Sequence, residues 1–118
     1  MLAASWFTLA GFDVSWPLEP ARYDLIAIKA DRQRKVQVKT TAGSRRHGRQ
    51  VWLSTTSRGP RTLYGTDEID EFFVIDAALN FYRIPVQIVG GRHAITLDGY
   101  EACRVTSFSD TGALACDM

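Results

Sequence analysis

The sequence predicts a single α/β (α+β) domain, and three observations lead there. Its first ten residues are almost wholly apolar and stop at a glycine, the segments beyond alternate apolar and polar residues, and turn-forming residues separate those segments at close intervals. With 118 residues and 46% hydrophobic content, the chain is long enough for one compact core and short for two. The domain is expected to span residues 1–106, with 107–118 a loose tail of little periodicity.

The elements follow in order. Residues 2–10 form a buried helix that ends on Gly11. Residues 12–16 are a strand candidate, and 17–20, with Pro17 and Pro20, make the loop after it, because proline rarely sits inside a central strand. Residues 23–28 and 35–41 alternate as strands do, and the polar stretch 31–34 between them has hairpin length, so the two should lie antiparallel. A basic loop over 42–50 leads to a strand over 51–55. Residues 66–71 make an acidic turn or short helix with Thr66 as its N-cap, ahead of strands over 72–75 and 80–85. Gly90-Gly91 marks a hairpin between 86–89 and 93–97, and Asp98 caps a short helix that runs to Cys103. Trp6, Trp16, Phe72 and Phe73 are expected in the core.

Several classes are excluded early. No apolar run approaches the length of a transmembrane helix, about 18 residues, and the first ten residues lack the basic start of a signal peptide. A cytoplasmic location is expected. Cys103 and Cys116 stand neither in a CxxC pair nor near a pair of histidines, so neither zinc nor a disulfide framework is implied, and both are expected to be reduced bystanders.

Net charge is only +1, but it is segregated along the chain. From Arg22 to Arg61 there are eleven basic residues against Asp24 and Asp31, a balance of +9 that leaves −8 for the remainder. Such a basic half is the electrostatic footprint of a nucleic-acid partner, with the solvated face of a near-neutral protein as the alternative. The expected DNA contacts are Arg22, Arg34, Thr40, Thr41, Arg45, Arg46, His47, Arg49, Arg58 and Arg61. His47 has no second histidine or acid nearby, which favours a DNA contact over a metal ligand.

The chemistry concentrates where the two hairpin strands meet. In a strand, alternate side chains share a face, so Gln37 and Lys39 project together while Val36 and Val38 pack on the other side. Asp24, near the start of the partner strand, can approach the same face. An acid, an amide and a lysine at one point suit phosphodiester cleavage.

The spacing of Gly11, Phe12, Val14 and Pro17, then Tyr23-Asp24-Leu25, Gln37-Val38-Lys39-Thr40, Tyr64, Ile69-Asp70, Phe72-Phe73 and Tyr82-Arg83-Ile84-Pro85 resembles the PD-(D/E)XK nucleases. Within them it is most similar to the group I intron-associated homing endonucleases, over roughly residues 2–97. The resemblance implies a restriction-endonuclease-like mixed central sheet flanked by helices, and hydrolysis of double-stranded DNA with Mg2+ or Mn2+. By the same resemblance Asp24 corresponds to the metal-binding acid, Gln37 to the glutamine variant of the D/E position and Lys39 to the lysine, making these three the catalytic set. Asp24, Gln37 and the Val38 carbonyl are then the metal ligands. Asp70 and Tyr64 recur in the family pattern, yet a turn cap and a packed aromatic explain them equally well.

One departure from that pattern matters. Related sequences usually carry a glutamate on the first helix, whereas here no acid precedes Asp13. With Gln37 neutral, the site keeps a single carboxylate, so metal binding should be weak and catalysis impaired. The combined expectation is a metal-dependent DNA endonuclease of homing type. One small domain with one site does not easily cut both strands, so a homodimer or homotetramer is expected. The alternatives are a Holliday-junction-resolving nuclease of the same fold, or a catalytically degenerate DNA-binding or interaction module.

Overall fold

An apolar stripe at the start of the chain builds one side of the core. In the computed structural model, which describes residues 2–19, 21–43, 48–54, 63–89 and 91–108, helix α1 (Leu2–Leu9) buries Ala3, Trp6 and Phe7. Spacings of three and four residues put these on one helical face. The helix closes with the Gly11 N–H donating to the Thr8 carbonyl at 3.1 Å and the Phe12 N–H to the Phe7 carbonyl at 2.9 Å. Gly11 takes φ +95°, a backbone region that a residue with a Cβ enters only under strain.

Eight strands are present among the described residues: β1 (Asp13–Ser15), β2 (Leu25–Lys29), β3 (Arg32–Thr40), β4 (Gln50–Trp52), β5 (Glu71–Ile75), β6 (Phe81–Pro85), β7 (Ala94–Thr96) and β8 (Arg104–Val105). Six form a mixed sheet in the order β1-β2-β3-β5-β6-β8. Every pairing in it is antiparallel except β3 with β5, which run parallel. The other two, β4 and β7, make a separate antiparallel pair.

Each face of the sheet carries its own core. On one, Leu25, Ala27, Val36, Phe73 and Ile75 pack beneath Ala3, Trp6 and Phe7 of α1. On the other, Phe72, Val74, Tyr82 and Ile84 meet Val51 and Ile95 of the β4–β7 pair, with Val86, Val89 and Leu97 from two 3-10 segments. Strand β5 therefore contributes to both cores, which is why its run after Glu71 is continuously apolar.

The β2–β3 hairpin forms as expected, with a tighter turn. The ladder continues through Lys29↔Arg32, leaving Ala30 and Asp31 as the turn, with Ala30 at φ +56°. Several other expectations are corrected. The first strand covers only Asp13–Ser15, and Trp16 is 51% exposed rather than core. Strand β4 starts at Gln50 and stops at Trp52. Residues Val86–Val89 form a 3-10 turn, not a hairpin arm, and β7 pairs with β4 instead. Val86 and Val89 are both buried, and a three-residue repeat is the one that puts such a pair on one side. The acidic segment is a turn, one of the two forms expected for it. Asp98 does not cap the 3-10 segment Leu97–Cys103, because its carboxylate is drawn to Arg49. Cys103 is buried and disulfide-bonded, not a reduced bystander; Cys116 lies outside the described residues. From residue 109 the expected loose tail is likewise outside them, while Phe108 brings its ring to 6.5 Å from that of Trp6.

Candidate active site

Where β2 ends, β3 loses its backbone partner, and a carboxylate takes over. The last register pair is Leu25↔Val36, and the Asp24 N–H still donates to the Val36 carbonyl at 2.8 Å. One step further the Val38 N–H, pointing toward the same side, donates to Asp24 Oδ2 at 2.8 Å. A backbone donor at a sheet margin needs an acceptor, and here the aspartate supplies it. The N–H and C=O of one strand residue point the same way, so the Val38 carbonyl flanks this carboxylate.

Alternation then sorts the side chains. Leu25 and Val36 belong to the core under α1, so Asp24, Gln37 and Lys39 turn to the opposite face. All three are half-buried. In register, Gln37 sits beside Phe72 of β5, and the Tyr64 ring packs edge-on against Phe72 at 5.6 Å. The Lys39 Nζ lies 5.4 Å from the centroid of the Tyr64 ring, and the Arg22 guanidinium 4.4 Å from it. Arg22 pairs with Glu68 at 2.8 Å, and Glu68 Oε1 accepts the Gly65 N–H at 2.9 Å.

Burial raises the Tyr64 phenol above its ordinary range; Arg22 opposes this, and the charges of Asp24 and Glu68 reinforce it. The phenol therefore stays protonated at neutral pH. Tyr64 and Glu68 are the members of this cluster that sequence reasoning did not assign to it. The signals available were the recurrence of Tyr64 in the family pattern and Glu68 standing three residues after Gly65, the spacing of a carboxylate that reaches back to cap a turn.

The donors available to a cation are all oxygens: one Asp24 carboxylate oxygen beyond that used by Val38, the Gln37 amide and the Val38 carbonyl. Such a set fits a hard divalent cation, and magnesium, which keeps several of its waters, makes the smallest demand on protein ligands. Among the described residues, no three of His, Cys, Asp and Glu gather into a metal cluster. Of the three candidate ligands, Asp24 is the one that carries a charge. The ammonium of Lys39 lies on the same face.

The family model described as PD-(D/E)XK endonuclease matches residues 2–101, a span that holds strands β1 to β7 and Asp24, Gln37 and Lys39. The chain belongs to the PD-(D/E)XK endonuclease family. Among solved structures, it is similar to that of the bacterial homing endonuclease I-Ssp6803I, with a TM-score of 0.69 and 23% identity over 80% of this chain and 70% of that one. At that identity the likeness shows the fold, which is restriction-endonuclease-like. No curated protein matches the chain. No helix among the described residues of this endonuclease-family chain is long and apolar enough to cross a membrane.

The expected DNA contacts divide into groups. Arg22 stands at the site, engaged with Glu68 and Tyr64. Thr40 is exposed, and Thr41 Oγ1 donates to the Gln50 carbonyl at 3.0 Å. Arg34 Nε donates to Glu71 at 2.8 Å, and alternation puts it on the α1 face, away from Gln37 and Lys39. Arg49 is corrected. It is 2% exposed and donates to Asp76, Tyr82, Asp98 and Glu101. Arg45, Arg46, His47, Arg58 and Arg61 lie outside the described residues.

Two further acids hold the scaffold. Asp70 Oδ2 accepts the Lys35 N–H at 2.7 Å, tying the start of β5 to β3. Glu71 is fully buried and accepts from both Arg83 Nε at 3.0 Å and Arg83 Nη2 at 2.9 Å. The Arg83 guanidinium in turn lies 5.3–5.5 Å from the ring centroids of Trp6, Phe7 and Phe12.

Proposed function

We propose that this chain is a metal-dependent DNA endonuclease of homing type, with Asp24, Gln37 and Lys39 as its catalytic residues and magnesium or manganese as its cation. The observation that carries the proposal is the Asp24 carboxylate fixed on the Val38 N–H, on the face that Gln37 and Lys39 share. Asp24, Gln37 and the Val38 carbonyl would hold the cation. When bound, it neutralises phosphate charge and makes water a better nucleophile.

The remaining steps belong to the chain's own residues. The Gln37 amide oxygen accepts a hydrogen bond from the attacking water and orients it toward phosphorus. As that water's oxygen bonds to phosphorus and the opposite ester bond breaks, negative charge grows on the phosphoryl oxygens. The Lys39 ammonium stabilises that charge. The attacking water gives up its proton to solvent and the departing oxygen takes one from solvent, so the step is balanced overall.

The partner is double-stranded DNA, and a homodimer or homotetramer gives a second site for the second strand. Supercoiled plasmid incubated with the protein, with and without magnesium or manganese, tests this. Nicked and then linear DNA that depends on the cation supports the endonuclease. A band shift without cleavage in either metal would leave the non-catalytic DNA-binding module instead.

A further inference from the structure

Lysine has a long, flexible side chain, and holding it in one geometry costs up to about 2 kcal/mol of rotamer entropy. A lysine that must meet one phosphoryl oxygen therefore needs something that restricts it. We propose that Tyr64 is the positioning residue for Lys39, its ring serving as a fixed cation–π platform for the ammonium, held in place by Arg22 and Glu68.

The geometry of the clamp supports this. Arg22 Nη2 donates to the Leu63 carbonyl at 3.0 Å, and Glu68 Oε1 accepts the Gly65 N–H at 2.9 Å. Both chain neighbours of Tyr64 are thus tied, and Arg22 and Glu68 are themselves joined at 2.8 Å. Phe72, beside Gln37 in the β3–β5 register, supports the ring edge-on. The ring thus stands on a backbone tied at both sides and meets Phe72 at its edge, with Lys39 Nζ 5.4 Å from its centroid. The negative face of an aromatic ring attracts an ammonium within about 6 Å of its centroid.

Charge balance fits the same role. Two cations share one ring, Arg22 and Lys39, and they would repel each other if both were uncompensated. Glu68 neutralises Arg22, which leaves the attraction of the ring for Lys39. The phenol, kept protonated by burial and the nearby carboxylates, adds no competing negative charge that would swing with pH.

This inference rests on the reading of Lys39 as the charge-stabilising residue, and its test separates the two. Tyr64→Phe keeps the ring, whereas Tyr64→Leu keeps apolar packing on Phe72 and removes it. The chain has three lysines, Lys29, Lys35 and Lys39, so the Lys39 ε-methylene signals are readily assigned by carbon-edited NMR. In the parent and in Tyr64→Phe these signals are expected upfield, shifted by the ring current, and in Tyr64→Leu they should return to the position of a free lysine. Single-turnover cleavage at saturating DNA should fall roughly ten-fold in Tyr64→Leu, equivalent to about 1.4 kcal/mol at the transition state, with DNA affinity unchanged. Tyr64→Phe should cleave at close to the parental rate.

Unshifted Lys39 signals in the parent, or signals identical in parent and Tyr64→Leu, overturn the proposal. So does equal loss of cleavage in Tyr64→Phe and Tyr64→Leu, which would assign the effect to the hydroxyl. If Lys39→Ala cleaves at the parental rate, the catalytic assignment of Lys39 fails, and the NMR signals still decide whether the ring holds the ammonium.

Discussion

Replacing Arg49 by alanine distinguishes a buried structural cation from a DNA contact, two roles that predict opposite results. Arg49 is 2% exposed and reaches Asp76 at 2.9 Å, the Tyr82 hydroxyl at 2.7 Å, Glu101 at 3.0 Å and Asp98. Its removal affects these partners unequally. Asp98 and Glu101 are 43% and 39% exposed and can be rehydrated, whereas Asp76 is only 3% exposed. Asp76 keeps three donors, the Ala78 and Asn80 N–H groups and Asn80 Nδ2 at 2.8–3.0 Å. Breaking a buried pair by removing one partner costs about 3–5 kcal/mol, and the surviving donors put Arg49→Ala near the low end, about 3 kcal/mol. That is a large share of a typical domain's stability, about 5–15 kcal/mol.

Urea unfolding followed by tryptophan fluorescence reads this directly, as a lower midpoint with an unchanged slope. Asp98→Asn should cost under about 1 kcal/mol, since that partner is substantially solvated. The salt dependence of DNA affinity should not change in Arg49→Ala under folding conditions. An unchanged urea midpoint, together with a salt slope shallower by about 0.9, the value for one lost phosphate contact, would refute the burial argument.

Three other outcomes are expected. Asp24→Ala and Lys39→Ala should each lower single-turnover cleavage by at least about 100-fold, Asp24→Ala with a lower urea midpoint because the Val38 N–H loses its acceptor; parental cleavage by either removes that residue from the catalytic set. Among the described basic residues at least Arg22, Arg34 and Arg49 pair with acids within the fold, so about four cations reaching phosphates gives a log–log salt slope of roughly −3 to −4. A slope near zero, or a change in slope on Arg34→Ala, would contradict this. Burial alone would raise the Asp76 carboxyl, but hydrogen bonds from Asn80, Arg49 and Ala78 outweigh it and hold the pKa below its ordinary value. A depressed folded pKa contributes stability above the unfolded value, about 3.9, and that contribution disappears as pH falls through the lower folded one. Stability measured from neutral pH downward should therefore drop below about pH 4, and Asp76→Asn should flatten that drop; an unaltered acid profile would count against the assignment.

What was legible in the sequence was what local periodicity carries. Leu2, Trp6, Phe7 and Gly11 are enough to place a helix and its end. Alternation through Leu25, Ala27, Val36 and Val38 is enough to place the hairpin and to put Gln37 with Lys39 on one face. The carboxylate at the hairpin's end follows, because Asp24 immediately precedes the first buried residue of β2. The role of Val38 as a hydrogen-bond donor to it did not follow, since that depends on where the β2 partner runs out.

The misassigned residues share a cause of a different kind. Arg49 stands in a run with Arg45 and Arg46, and nothing local separates it from them. Its distinguishing partners lie 27, 33, 49 and 52 residues further along the chain. Arg34 likewise finds Glu71 37 residues away, and the β4–β7 pairing joins segments that no turn signal connects. The segregation of basic and acidic residues along the chain is therefore partly a record of folding, because each half supplies the other's counter-ions: Arg22 with Glu68, Arg34 with Glu71, Arg49 with Asp76. A basic segment counts toward DNA only after these internal pairs are subtracted. Among the described residues the subtraction takes at least Arg22, Arg34 and Arg49, while Lys39 lies over the Tyr64 ring on the face where cleavage is proposed.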